Sequence, residues 1–181
     1  MRKMFFAIVV MTLVFSVGAM AQNDNTSGTL LVKATLQSSI YMTLENASGG
    51  PSLTNAGTPA ATLDFGNVFA YGTYAPTGIT RTLNSSGGYA TSFTLATSFG
   101  VRVGMYNTNS ETKYGLTAAL NAADAANTWV VDTVTLSTTA QAVTGGTGFN
   151  AVVPHSLSLT IPQSTAAGSI QNTINLAAAA Q

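Results

Sequence analysis
Apolar and polar residues alternate along most of the chain. Between positions 29 and 44, Leu30, Val32, Ala34, Leu36, Ile40, Met42 and Leu44 fall on one face, interrupted at Ser38. Leu31, Lys33, Thr35, Gln37, Ser39, Tyr41 and Thr43 fall on the other, which is mostly polar. A period of two marks a half-buried β-strand. The stretch exceeds the roughly 3–10 residues of an ordinary strand, and Gln37-Ser38-Ser39 is its natural break. A second long alternation covers 89–105, with Tyr89, Phe93, Leu95, Phe99, Val101, Val103 and Met105 on the apolar face and Thr91 and Thr97 among them. Gly100 and Gly104 lie on the opposite face, where glycine permits a bend or bulge. Further strands are predicted over 61–65, 79–83, 114–120, 129–136, 155–161 and 169–176, separated by Gly- and Pro-bearing turns. Only 116–126 competes as a helix, for a turn or two, because its alanines favour one and Asn121 and Asp124 do not. About eight short strands at regular spacing predict an all-β sandwich or barrel. Phe93, Leu95, Val101, Val103, Leu157, Leu159, Ile161, Ile170 and Ile174 are its expected core.

Composition narrows what such a fold is for. The chain has 181 residues, enough for one domain with a real core. Only 7% of residues are charged, and six basic residues balance six acidic ones. Nucleic-acid binding needs clustered Lys and Arg to neutralise phosphates, so it is not expected. The hydrophobic share of 46% argues against charge-driven disorder. There is no cysteine, which excludes disulfides, thiolate metal sites and cysteine nucleophiles. No metal and no cofactor is expected.

The first 21 residues read as an address. Arg2 and Lys3 precede an apolar run ending in Gly18-Ala19-Met20-Ala21. A basic start, a short apolar stretch and an A-x-A exit define a secretory signal peptide. The run falls short of the roughly 20 apolar residues that span a bilayer, so no stable membrane span is expected after cleavage. The expected mature chain, 22–181, forms a single exported domain, placed in the periplasm, at the cell surface or outside the cell.

Catalytic chemistry finds little to use. His155 is the one imidazole. Its strand neighbours Ser156 and Ser158 point to the opposite face, and no nucleophile elbow is present. A satisfied core histidine or an exposed strand-end one is the expectation. Asp24, Glu45, Asp64, Glu111, Asp124 and Asp132 are scattered and form no calcium loop. Trp129 opens an apolar strand and is expected in the core rather than as a sugar-stacking platform. Gly145 to Gly148 reads as a flexible loop. No enzymatic activity and no catalytic residue is expected.

A resemblance adds to this reading. Gly28, Leu30, Val32, Ala34 and Leu36, followed by Ser38-Ser39-Ile40, open the expected mature chain; Leu63-Asp64-Phe65-Gly66 ends an inner strand; and Ala167-Gly168-Ser169-Ile170-Gln171-Asn172-Thr173-Ile174-Asn175-Leu176 lies near the end. The pattern resembles the spore coat U-like and archaic chaperone–usher pilin subunits and related secreted surface proteins. Members commonly carry a disulfide starting near the position of Ile40, which this chain lacks. The resemblance implies an immunoglobulin-like β-sandwich of about seven to eight antiparallel strands, completed by a donor strand from a neighbour. Carried over, Leu30, Val32, Ala34 and Leu36 are the pocket-filling side chains of a donor strand over 29–37. The implied partners are neighbouring subunits of the same or related proteins, a periplasmic chaperone and an usher. Alternation alone leaves a second reading open, in which 29–44 is this domain's own bent first strand. The expected function is a secreted structural subunit of a bacterial surface fibre or coat. The alternatives are a monomeric binding module, such as a carbohydrate-binding or adhesin domain, and last an outer-membrane β-barrel.

Overall fold
The computed structural model describes residues 29–35, 39–72, 74–106 and 111–181. The expected signal peptide, Leu36 and the break at Gln37 and Ser38 lie outside the described residues. The chain divides between Thr35 and Leu36 into two units. In the first, residues 29–35 belong to no strand. There Leu30, Leu31 and Val32 are 88%, 77% and 78% exposed.

The second unit is all-β, with no helix among the described residues. Its strands are β1 (Ser39–Glu45), β2 (Thr80–Ser86), β3 (Tyr89–Tyr106), β4 (Tyr114–Leu120), β5 (Thr128–Val131), β6 (Val134–Thr135), β7 (Gln141–Gly146), β8 (Val152–Pro162) and β9 (Ile174–Ala180). All pairings are antiparallel. One sheet runs β1-β3-β8-β5-β6, with β2 also on β3; the other runs β7-β4-β9. The long β3 organises the first sheet. Its early half pairs with β2, its late half with β1, and its middle with β8. The hairpin from β2 to β3 turns on Gly87 and Gly88, both at positive φ, a conformation glycine adopts without steric cost.

The register places Phe93 opposite Ile161, Leu95 opposite Leu159 and Phe99 opposite His155 on one face. Tyr114, Leu116, Ala118 and Leu120 of β4 join the same buried cluster from the second sheet. Two antiparallel sheets around one apolar core make a β-sandwich. Phe93, Leu95, Val101, Val103, Leu157, Leu159 and Ile161 are buried, while Ile170 and Ile174 are half-buried against them.

Several local expectations change. The 61–65 stretch is no strand: Thr62 exchanges backbone bonds with Thr54 at 2.9 and 3.0 Å, an isolated bridge. Residues 129–136 form two strands because Asp132, at φ 55°, turns the chain. Residues 169–173 lie outside β9 because its ladder with β4 ends at the Leu120–Ile174 pair. Gln141–Gly146, partly read as loop, is a strand that β4 recruits. The competing helix is absent: Leu116 to Leu120 belong to β4. Finally, β3 passes Gly100 and Gly104 unbroken. A Cβ at Gly104 would collide with the Tyr41 ring, and one at Gly100 would meet Val152 Cγ1 at 2.6 Å. These glycines admit a neighbour's side chain rather than a bend.

Candidate functional site
The two sheets differ in width, and the site follows from that. The three-stranded sheet stops at β9, whose second edge pairs with no strand among the described residues. In an antiparallel ladder alternate N–H and C=O groups point away from the partner, so β9 presents a row of unpaired backbone groups. Beside it lies a groove of about 1010 Å³. Leu95, Phe99, Trp129, Leu157, Leu159 and Ile161 of the larger sheet form its floor. Leu63, Phe65 and Val68 make one wall; Ile170, Ile174 and Leu176 make the other. Protein interiors are close-packed, with few voids larger than a water. At roughly 24 cal/mol per Å³, a closed dry void of this size would cost on the order of 20 kcal/mol, more than a domain's typical stability of ~5–15 kcal/mol. The groove is therefore an open cleft in the surface and not a closed void in the core.

Of the four expected donor residues, Leu30, Val32 and Ala34 are exposed and Leu36 lies outside the described residues. Leu30, Val32 and Ala34 belong to the first unit and the groove to the second. Of the 29–44 alternation, the strand β1 begins at Ser39.

The acids read as scattered turn out to anchor the core. His155 is the fourth residue of β8, buried at 1% exposed, and stacks on Phe99 with ring centroids 5.6 Å apart. Its Nδ1 lies 3.1 Å from Asp132 Oδ2. An ionised carboxylate only accepts, so Nδ1 carries the shared hydrogen. Asp132 also accepts from Ser156 N–H at 3.1 Å and from Thr144 N–H of β7 at 3.2 Å. One carboxylate thus joins the two sheets. Burial alone would raise its pKa, but the bonds from His155, Ser156 and Thr144, with the attraction of the imidazole, outweigh it and hold it below the usual carboxylate range. A catalytic reading would need a nucleophile at His155 Nε2, and Nε2 has no partner among the described residues. Ser156 instead donates to Asp132 O at 3.4 Å.

Trp129 is in the core, 6% exposed, and its indole N–H donates to Asp124 Oδ2 at 2.7 Å. Asp124 also accepts from Asn127 and from the N–H of Ala126. Burial raises the Asp124 carboxyl, and these bonds, led by the indole, bring it below its ordinary value. Among the described residues no three His, Asp or Glu side chains gather as a metal site. No helix there is long and apolar enough to cross a membrane.

A second surface lies on the outer face of the larger sheet, where β1 meets β3. Tyr41 stands opposite Gly104 and lies over it. Tyr106 stacks on Tyr41, centroids 5.1 Å apart and planes 28° from parallel. Two residues along, Arg102 pairs with Glu45 through Nε, at 3.0 Å, and Nη2. The hydrogen bond from Arg102, then that from Thr43, holds the Glu45 carboxyl below its usual pKa. The sequence offers one signal for this surface, a mid-strand glycine, whose expected role is a bend or bulge. No protein-family model, curated protein or solved structure matches the chain.

Proposed function
We propose that the protein is an exported, pilin-like structural subunit of a bacterial surface fibre or coat, joined to its neighbours by β-strand addition. The observation that carries this reading is the edge of β9 that pairs with no strand among the described residues, beside a 1010 Å³ groove floored by core side chains. The incoming strand is the 29–37 segment of a neighbouring copy. Its backbone bonds to the edge of β9, and Leu30, Val32, Ala34 and Leu36 enter the groove on alternate positions. Burying each large aliphatic side chain supplies about 1.5–3 kcal/mol, enough for a few of them to hold two subunits together. With that strand in place the domain is a complete immunoglobulin-like sandwich. A periplasmic chaperone and an usher are the partners such a subunit requires, because an open groove must be shielded until assembly. Two separate open sheets favour this reading over an outer-membrane barrel, which closes on itself to remove its edges.

Val32→Asp tests it. A carboxylate carried into the groove without a partner costs several kcal/mol. The wild-type protein is expected to form polymers by electron microscopy and size analysis, and the variant to stay a folded monomer. A 29–37 peptide is expected to raise the variant's melting temperature. A wild-type protein that remains a stable monomer, with no gain in stability at saturating peptide, overturns the proposal.

A further inference from the structure
The wall of the groove and the 29–37 segment each carry one charge, and the two are opposite in sign. Between Glu45 and Arg81 the one charged residue is Asp64. It stands in the groove wall between Leu63 and Phe65, which are half-buried against the core, while Asp64 itself is exposed at the rim. Among the described residues the rest of the groove lining is uncharged. There Asp64 accepts one hydrogen bond, from the Gly66 N–H to Oδ1 at 2.7 Å, and pairs with no cation. Glu45, Asp124 and Asp132, by contrast, are each engaged by a side chain.

In 29–37 the one charged residue is Lys33. It is exposed, and the alternation sets it between Val32 and Ala34 on the face opposite the apolar stripe. Of the other cations, Arg81 is held by three carbonyls and Arg102 by Glu45.

The apolar stripe alone fixes the register of an incoming strand poorly. A slip of one residue turns the whole stripe out of the groove, so burial excludes it. A slip of two brings Gly28 or Ser38 to one end of the stripe and keeps apolar residues at the other inward positions. Burial therefore separates that register from the correct one only by an end residue. We infer, building on the strand addition proposed above, that Lys33 of one copy pairs with Asp64 of the next and sets the register in which the strand enters. Opposite charges facing each other across two strands attract, and like charges repel. The pair sits in solvent, so it selects among registers more than it adds affinity. A slip of two residues carries the ammonium about 7 Å along the groove from Asp64, and the pair is lost together with the end residue.

The test takes the full-length Val32→Asp chain as acceptor, because its own strand does not fill a neighbour's groove. Fluorescence anisotropy at low salt measures the affinity of labelled 29–37 peptides. Adding Asp64→Lys to the acceptor is expected to weaken the wild-type peptide roughly two- to fivefold, and a Lys33→Glu peptide is expected to reverse that preference. A peptide carrying Lys33→Thr and Thr35→Lys keeps the composition and net charge but moves the ammonium by two residues. It is expected to bind the acceptor that retains Asp64 more weakly than the wild-type peptide does. If each peptide binds both acceptors equally, or if the rearranged peptide binds as tightly as the wild type, the register pair is overturned while strand addition stands. If no peptide binds either acceptor, both fall.

Discussion
Where the two sheets face each other, Val101, Val103, Val131 and Leu116 are at most 1% exposed. Where the chain between β1 and β2 covers the same interior, Leu63, Phe65 and Val68 are only half-buried and line the groove. The side chains are equally apolar; the backbones differ. β4 satisfies its N–H and C=O groups in ladders with β7 and β9, so its inward side chains can press fully into the core. Among its described residues the 46–78 segment makes two isolated bridges, Thr58 to Leu44 of β1 and Thr54 to Thr62. Several of its other carbonyls take side-chain donors: Arg81 reaches the carbonyls of Phe69, Ala70 and Gly72, and Gln163 that of Ala70 at 3.1 Å. A backbone that must stay near solvent cannot close over a core. The groove remains where the ladder ends.

The sharpest break of this contrast is a matched pair of truncations. Leu116→Ala removes a fully buried side chain and is expected to cost about 2–5 kcal/mol in urea unfolding. Phe65→Ala removes a larger side chain from the groove wall, where half of its burial is already forgone, and is expected to cost roughly 1–2 kcal/mol. The order should invert for uptake of the 29–37 peptide, which Phe65→Ala disturbs more. Equal unfolding costs would show the wall to be packed as tightly as the core.

Asp132 offers the next test, since it ties the sheets together within the well-packed part. Asp132→Ala strands His155 Nδ1 and the N–H groups of Ser156 and Thr144, a loss of roughly 1–3 kcal/mol at neutral pH. The carboxyl's folded pKa is depressed, so its contribution is full above the unfolded carboxylate pKa and disappears as pH falls through the folded value. Acid titration of stability should therefore fall less steeply in the variant. The slope due to Asp124, which is depressed in the same direction, should persist. An unchanged acid limb would mean that Asp132 is not the clasp.

Strands with strong alternation were legible in the sequence. β4 falls on the positions its pattern predicts, and β8 and β3 contain theirs, because β-branched and aromatic residues on one face leave a single way to bury them. The same logic failed at Leu63 and Phe65, whose alternation is genuine but finds no neighbouring edge; pairing is a tertiary fact that a period of two does not contain. It failed in reverse at Gln141–Gly146, where weak strand formers pair because β4 offers an edge. The His155–Asp132 clasp was invisible, since it joins residues 23 apart through a left-handed turn at Asp132. The groove's lining was not legible either, because it gathers residues of the larger sheet, of the 61–68 stretch and of the 168–176 stretch that only the tertiary fold brings together. Tyr41 and Tyr106 lie in separate strands, and their meeting depends on the β1–β3 register.

The smallest global effect is expected at Arg81, and it sharpens the comparison most. Its guanidinium donates to Phe69 O at 3.1 Å and to the carbonyls of Ala70 and Gly72, and lies 5.1 Å from the centre of the Phe93 ring. Arg81→Gln removes at least two of those bonds. Water replaces them readily, because Phe69, Tyr71 and Tyr74 are already exposed. A segment able to open locally contributes to global stability no more than its own closing free energy, so the overall loss is expected to stay below about 1 kcal/mol. Hydrogen exchange should separate the two regions. Amides between 66 and 78 should exchange much faster in Arg81→Gln, while those of β4 and the centre of β3 keep their protection. Equal acceleration in β4 would mean that the irregular cover and the sandwich unfold as one unit, and the division drawn between them would fall.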